Sequence, residues 1–257
     1  MQLVLDIGNT NTHVCIVADG KLKRDRDFRT EDWSNGRIEA LLDRFIGKTD
    51  CEHAVLCSVV PSATKEASFW LSCHPIPTTL LTHKNCGVPI DYPDPESIGP
   101  DRLANARAAL ETNKGPVVVV DFGTALTFDI VDGRGHYVGG IIAPGISAMT
   151  DYLHEKTALL PRITLSGTAP GSVIGKSTAA AMQVGAVHGY RGLVRALLQQ
   201  IQQELGVGKM PVIATGGTAE ILARSIPEIT RIDPKLTLEG LRLTLPATAA
   251  LRAPKVA

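Results

Sequence analysis

The sequence predicts an α/β fold of two similar lobes, and three observations predict it. Leu3-Val4-Leu5-Asp6 is an apolar run ending in a carboxylate, followed by Gly8 and a row of small polar residues. Val117-Val118-Val119-Val120-Asp121 repeats the arrangement, with Gly123 and Thr124 after it. Around both copies, short apolar runs alternate with helical patterns, which implies a partly parallel sheet in each lobe. Both copies also continue through a second apolar run into an Asp-Gly pair, Asp19-Gly20 and Asp132-Gly133, a strong hairpin signal. The lobes are expected to divide at 113/114, with 1–113 as the N-terminal lobe and 114–257 as the C-terminal one.

In chain order, Leu3 to Asp6 is a buried strand that turns at Gly8, and His13 to Ala18 is the returning strand. Lys21 to Thr30 is a polar third strand near an edge, with Leu22 and Phe28 on one face. Arg37 to Ile46 is an amphipathic helix whose stripe is Ile38, Leu41, Leu42 and Phe45. Ala54 to Val59 is a buried strand, and Val60-Pro61-Ser62 starts a helix with Pro in its first turn. Thr78 to Thr82 is a further strand. Pro89 to Pro100, rich in Pro, Asp and Gly, is loop, and Leu103 to Leu110 is helix. In the second lobe, His136 to Ala143 is the third strand and Ile146 to Thr157 a helix. Leu159 to Ser172 is a connector with Pro161 and Pro170. A long helix then runs to about Leu205, its stripe being Met182, Ala186, Gly189, Leu193, Leu197 and Ile201, thinned by Gly185, Gly189 and Gly192. Met210 to Ala214 is a strand, Ala219 to Arg224 a short helix and Leu236 to Leu243 the last one. The tail from Pro246 is expected to fray.

Composition narrows the class. The 257 residues carry 26 Lys+Arg against 26 Asp+Glu, so no global field favours nucleic acid or an anionic membrane. No apolar run is long enough to span a bilayer, and the N-terminus lacks a cleavable leader pattern. The five cysteines are odd in number and never form Cys-x-x-Cys, which fits free thiols in a reducing cytoplasm. Cys15 and Cys57, inside apolar runs, read as core. None of the seven histidines pairs at a ligand spacing; His13 and His188 lie in predicted elements and read as structural.

The chemistry concentrates at the two strand ends. The stretch from Asp6 through Gly8, Asn9, Thr10, Asn11 and Thr12 offers backbone N–H groups, amides, hydroxyls and one carboxylate. That inventory suits a polyphosphate with its magnesium; the alternative is a polar hairpin tip whose Asp and Asn cap the turn. Two such tips facing across a cleft hold a phosphate chain from both sides. Ala214-Thr215-Gly216-Gly217-Thr218 adds a strand ending in paired glycines, where backbone can approach a ligand closely. Asp101 sits in or beside the first turn of a helix, where an Asp is ordinarily a cap worth about 1 kcal/mol. A helix N-terminus also lowers an Asp pKa. Gly171-Ser172-Val173-Ile174-Gly175-Lys176-Ser177 imitates a P-loop but has three residues between its glycines and no strong strand before it, so a Walker A reading is rejected.

Seven motifs in order carry a resemblance: Asp6-Ile7-Gly8-Asn9-Thr10, Ser58-Val59-Val60-Pro61, Tyr92-x-x-Pro95, Gly99-Pro100-Asp101-Arg102, Asp121-Phe122-Gly123-Thr124, Gly139 to Gly145, and Asp233-Pro234-x-Leu236-Thr237. From Leu3 to about Leu243 the chain resembles type III pantothenate kinase, the Bvg accessory factor family, within the acetate and sugar kinase/Hsc70/actin superfamily. Leu126, Lys156 and Lys176-Ser177 depart from the family's usual residues.

The resemblance implies two ribonuclease H-like lobes with an ATP cleft between them, and ATP-dependent phosphorylation of pantothenate, the first step of coenzyme A biosynthesis. It implies ATP contacts at Asp6, Gly8, Asn9, Thr10, Asn11, Thr12, Gly123, Thr124, Gly216 and Gly217. Asp101 maps onto the residue proposed to accept the substrate hydroxyl proton. Substrate contacts fall on Tyr92, Gly99, Pro100, Asp101, Arg102 and Thr178, with the Arg102 fork suited to a carboxylate. Asp6 is expected to hold Mg2+ through water, and Asp121 a monovalent cation, K+ or NH4+. A homodimer with the long helix at its interface and a shared active site is implied, with no nucleic-acid or membrane partner and a cytoplasmic location. Two rivals are a non-catalytic nucleotide-binding regulator on the same fold and a sugar kinase. The regulator has no use for Tyr92, Asp101, Arg102 and Thr178 together. The sugar kinase predicts a Cys/His zinc cluster or a larger insertion, and the sequence has neither.

Overall fold

The computed structural model describes residues 1–165 and 171–245. Packing divides the chain into two compact units, Met1–Ala108 with the segment from Lys235 onward, and Ala109–Pro234.

In the first unit, β1 (Gln2–Ile7), β2 (Asn11–Ala18), β3 (Lys21–Arg29), β4 (His53–Ser58) and β5 (Thr78–Leu80) form one sheet in the order β3-β2-β1-β4-β5. β1 pairs antiparallel with β2 and parallel with β4, so the strand bearing Asp6 is central. Side chains alternate across a strand. Leu3, Leu5 and Ile7 of β1 therefore face a core closed by Trp33, Ile38, Leu42, Trp70 and Leu71. These come from a 3-10 turn (Thr30–Asn35), α1 (Arg37–Ile46) and α2 (Pro61–Cys73). β3 is an edge strand, as its polar sequence predicts.

The other face of this sheet differs from expectation. α3 (Pro100–Thr112) is where the sequence puts it, but α8 (Leu236–Thr244) packs on β1 and β4 rather than with the second unit. The split at 113/114, with all of 114–257 in one lobe, is thus not the division the packing makes. The reason is local: a Cβ on Gly240 would lie 1.9 Å from the Ala104 carbonyl oxygen, so the missing side chain lets α8 touch α3. Thr237 Oγ1 donates to Asn105 Oδ1 at 2.8 Å across the same contact. Leu236 and Leu241 are fully buried there.

The second unit repeats the plan. β6 (Val117–Phe122), β7 (Ala125–Val131), β8 (Tyr137–Pro144), β9 (Val212–Thr215) and β10 (Arg231–Ile232) run in the order β10-β9-β6-β7-β8, with β6 antiparallel to β7 and parallel to β9. Central β6 thus occupies the place of β1. α4 (Ile146–Lys156), α5 (Thr178–Val184), α6 (Tyr190–Glu204) and α7 (Ala219–Leu222) complete the unit. The two-residue β10 escaped the sequence reading, since so short a run has no periodicity.

The expected long helix is interrupted. A π turn, Gly185–Gly189, separates α5 from α6. Its extra residue rotates the helix, so the buried face is Val187, Tyr190, Val194, Leu198 and Ile201, and Leu193 is exposed. Met182, Gly189 and Leu193 therefore fall off the packed face, while Ala186 and Ile201 of the expected stripe are buried and Leu197 packs half-buried against the core. Ser177 Oγ accepts the Ala180 N–H and caps α5, which accounts for the residues that imitate a P-loop. Pro170 and the tail from Pro246 lie outside the described residues.

Candidate active site

In the first unit the site is built on the β1–β2 turn. Asp6 is half-buried at the end of β1, and Asn9, Thr10 and Asn11 are exposed at the tip. The turn closes by the Gly8 N–H donating to the Asn11 carbonyl at 2.9 Å, and a Cβ on Gly8 would approach that oxygen to 3.2 Å. Thr30 braces it from β3's end: its hydroxyl donates to the Gly8 carbonyl at 2.7 Å and its N–H to the Thr10 carbonyl at 3.0 Å. Thr12 does not join the tip. It is fully buried, 3.1 Å from the Thr30 hydroxyl, and accepts Trp33 Nε1–H at 3.1 Å. Strand alternation turns it to the core, so its expected ATP contact is withdrawn and replaced by a bracing role.

Asp101 opens α3 with Arg102 beside it. Its Oδ1 accepts the Arg102 N–H at 2.9 Å, the cap-like bond expected near a helix start. A Cβ on Gly99 would sit 2.5 Å from the same oxygen, so the Gly99-Pro100-Asp101 spacing makes room for the carboxylate. Burial raises the Asp101 pKa, outweighing the Arg102 backbone amide and guanidinium, which pull it down. The lowering expected from a helix N-terminus is thus reversed: desolvation wins. Tyr92 stands exposed in the loop before α3.

Cys57 links the two carboxylates. It is fully buried and is the register partner of Asp6 on β4. Its thiol is pushed well up by burial and then by the charges of both Asp6 and Asp101, and it hydrogen-bonds Asp6. The sequence reading took Cys57 for core; that its neighbour across the sheet is Asp6 is legible only once β1 and β4 are paired.

In the second unit Asp121 ends β6, with Thr127 and Thr215 as register partners on β7 and β9. Its Oδ1 lies against two glycines: a Cβ would come within 3.2 Å on Gly123 and 2.3 Å on Gly216, the latter at φ +92°. Thr218 ties the Gly216-Gly217 turn to β6, its hydroxyl and N–H donating to the Phe122 carbonyl at 3.0 and 3.2 Å. Gly123 N–H donates to the Ala125 carbonyl, and Gly145 N–H to that of Thr124. A Cβ on Gly145 would lie 2.3 Å from the Thr124 oxygen, which explains the glycine after Pro144. Thr178 is the exposed first residue of α5.

Residues 2–200 match the family model for type III pantothenate kinase. The chain belongs to that family. A type III pantothenate kinase from Akkermansia muciniphila is 44% identical over 244 residues, covering 94% of this chain and 96% of the relative. Another, from Methylacidiphilum infernorum, is 43% identical over 245 residues, covering 94% and 87%. Among solved structures, a conserved Baf family protein from Campylobacter jejuni is 20% identical with a TM-score of 0.60, covering 94% of this chain and 96% of that one. The activator of 2-hydroxyisocaproyl-CoA dehydratase from Clostridium difficile, 13% identical with a TM-score of 0.53, covers 94% and 91%. These two likenesses speak for the shared actin/Hsc70/sugar kinase fold alone. As a type III pantothenate kinase the chain is an ATP-dependent phosphotransferase acting on pantothenate, at the head of coenzyme A biosynthesis. Among the described residues no helix is long and apolar enough to cross a membrane.

Proposed function

We propose that Asp101 orients the primary hydroxyl of pantothenate and takes its proton as the γ-phosphoryl group of ATP is transferred. The observation that carries this is the half-buried Asp101 carboxylate with its raised pKa, near enough to Asp6 for both charges to act on Cys57. Phosphoryl transfer asks for positioning more than strong basicity, and a carboxylate whose pKa is raised by burial serves both needs. Arg102 pairs with the pantothenate carboxylate, and Tyr92, Gly99, Pro100 and Thr178 line the acceptor. Asn9, Thr10 and Asn11 with Gly8 bind phosphate oxygens from the first unit. Gly123 and Thr124 bind phosphate oxygens as well, and Gly216 and Gly217 contact the nucleoside.

Asp6 holds magnesium through water. The fit is supported by the half-buried Asp6 carboxylate at the base of the phosphate-binding turn, an oxygen ligand of the kind magnesium takes. Magnesium usually keeps several waters and takes one or two carboxylates. When bound with ATP it neutralises charge across the phosphates. Asp121 holds a monovalent cation, K+ or NH4+; side chains at Gly123 or Gly216 would crowd its Oδ1.

The kinase works as a homodimer, with Thr178 reaching the acceptor of the other subunit. Exposed apolar side chains of the second unit support this: Met149, Tyr152 and Leu153 of α4 and Leu193 of α6 are exposed, and Cβ atoms on Gly185, Gly189 and Gly192 would meet nothing within 4 Å. Sedimentation of Leu193→Arg tests it; a dimer as tight as wild type removes this face from the interface. The five free cysteines support a cytoplasmic site of action.

The test of the catalytic reading is ADP release with ATP and magnesium, with and without pantothenate, in potassium and in sodium. Release should require pantothenate, rise with potassium and collapse in Asp101→Asn while ATP binding is kept. Wild-type turnover by Asp101→Asn would remove Asp101 from the reaction.

A further inference from the structure

The pairing of four strands sets one polar row across the first sheet: Asp27 on β3, His13 on β2, Asp6 on β1 and Cys57 on β4 are successive register partners. Register partners leave a sheet on the same face, with Cβ atoms about 5 Å apart. His13 therefore stands beside Asp6 on the face away from the Thr12 core. Exposure grows along the row, from buried Cys57 through half-buried Asp6 and His13 to exposed Asp27.

His13 Nδ1 lies 2.7 Å from Asp27 Oδ1. A carboxylate only accepts, so the proton of this contact sits on Nδ1, and in the Nδ1–H tautomer Nε2 is an acceptor. Asp6 and His13 then present two acceptors side by side at the base of the phosphate-binding turn. A phosphate oxygen is repelled by such a pair; the water shell of a hydrated cation, all donors, is matched by it.

We propose that His13 is a positioning residue for the metal–nucleotide complex: its Nε2 accepts a hydrogen bond from a metal-bound water next to the one held by Asp6, and Asp27 sets the tautomer that makes this possible. The proposal rests on the reading of Asp6 as the carboxylate that holds magnesium through water. It adds a partner on β2 that nothing in the sequence motifs marks.

The test is calorimetric titration of a non-hydrolysable ATP analogue, once in excess magnesium and once in EDTA. The proteins are wild type, Asp6→Asn, His13→Leu, His13→Gln and Asp27→Ala. Losing an outer-sphere partner costs metal affinity about 10-fold or more. His13→Leu should therefore weaken binding about tenfold in magnesium and leave the EDTA affinity unchanged. His13→Gln, whose amide oxygen still accepts, should recover most of the loss, and Asp27→Ala should show a smaller one. If His13→Leu binds like wild type in magnesium while Asp6→Asn does not, His13 has no part and only this proposal falls. Equal losses in magnesium and EDTA overturn it too, since the metal is then not what His13 serves. If Asp6→Asn also binds like wild type, the reading of Asp6 falls and takes this one with it. Should His13→Leu fail to fold, Asp27→Ala at its exposed position decides: unchanged affinity in magnesium overturns the proposal.

Discussion

A Cβ atom on Gly216 would lie 2.3 Å from Oδ1 of Asp121. The glycine is the hollow that receives the carboxylate, and its φ of +92° bars a side chain independently. Gly216→Ala should displace Asp121 and strain the turn by about 1–3 kcal/mol. Calorimetry should show nucleotide affinity reduced at least tenfold, with a lowered melting temperature. Wild-type affinity in a folded Gly216→Ala protein would contradict the assigned contact.

Gly99 bears the same relation to Asp101, at 2.5 Å, but without a positive φ. Gly99→Ala should therefore leave the backbone in place and push only the carboxylate. A misplaced catalytic group costs on the order of 100-fold, so kcat should fall by about that factor with melting temperature and nucleotide affinity near wild type. An unchanged kcat would mean that Asp101 has slack to move.

The raised Asp101 pKa sets a pH dependence. Burial favours the neutral acid, so more alkaline solution is needed to ionise it than for an ordinary carboxyl group. As a base it works only ionised; activity should fall as pH drops through this raised value, earlier than a solvated Asp would lose it. Stability runs the other way: ionising a carboxyl whose folded pKa is raised destabilises the fold, so this group's cost appears as pH rises through the shifted value. A kcat/KM profile should show the acid limb, and the residual activity of Asp101→Asn should lack it. The same limb persisting in the variant would assign it to another group.

Thr12 tests the division between bracing and binding. Its hydroxyl joins Trp33 Nε1–H to the Thr30 hydroxyl, which in turn holds the Gly8 carbonyl. Thr12→Val strands buried partners and should cost about 1–3 kcal/mol of stability. In denaturation the midpoint should drop while nucleotide affinity, measured well below that midpoint, changes little. A selective loss of affinity with stability intact would return Thr12 to the ligand.

Much of this was legible in the residues because local chemistry repeats itself. Two apolar runs each ending in Asp-x-Gly announced both central strands, and Pro, Asp and Gly marked the loop that delivers Asp101. What escaped depends on partners far along the chain. Thr12 looked like one more hydroxyl at a tip; only strand alternation against the Trp33 core turns it inward. That Cys57 and His13 flank Asp6 is set by β pairing, which sequence proximity does not report. The burial that raises Asp101 likewise comes from packing around α3. The helix face around Leu193 was misphased by a single extra residue in the Gly185–Gly189 turn, which 3.6-residue counting cannot anticipate.

The return of α8 to the first unit orders the folding of this chain in time. The sheet of β1 to β5 leaves the ribosome early, yet the helix that covers β1 and β4, burying Leu236 and Leu241 there, is made only after the second unit. Until residues 236–244 emerge, that apolar sheet face waits uncovered while the whole of the second unit is synthesised as one uninterrupted stretch. Domains generally fold as units during synthesis; here the unit begun first is the one finished last. A chain released after Pro234 therefore carries an entire second unit and an open first one, the state a nascent-chain chaperone would meet.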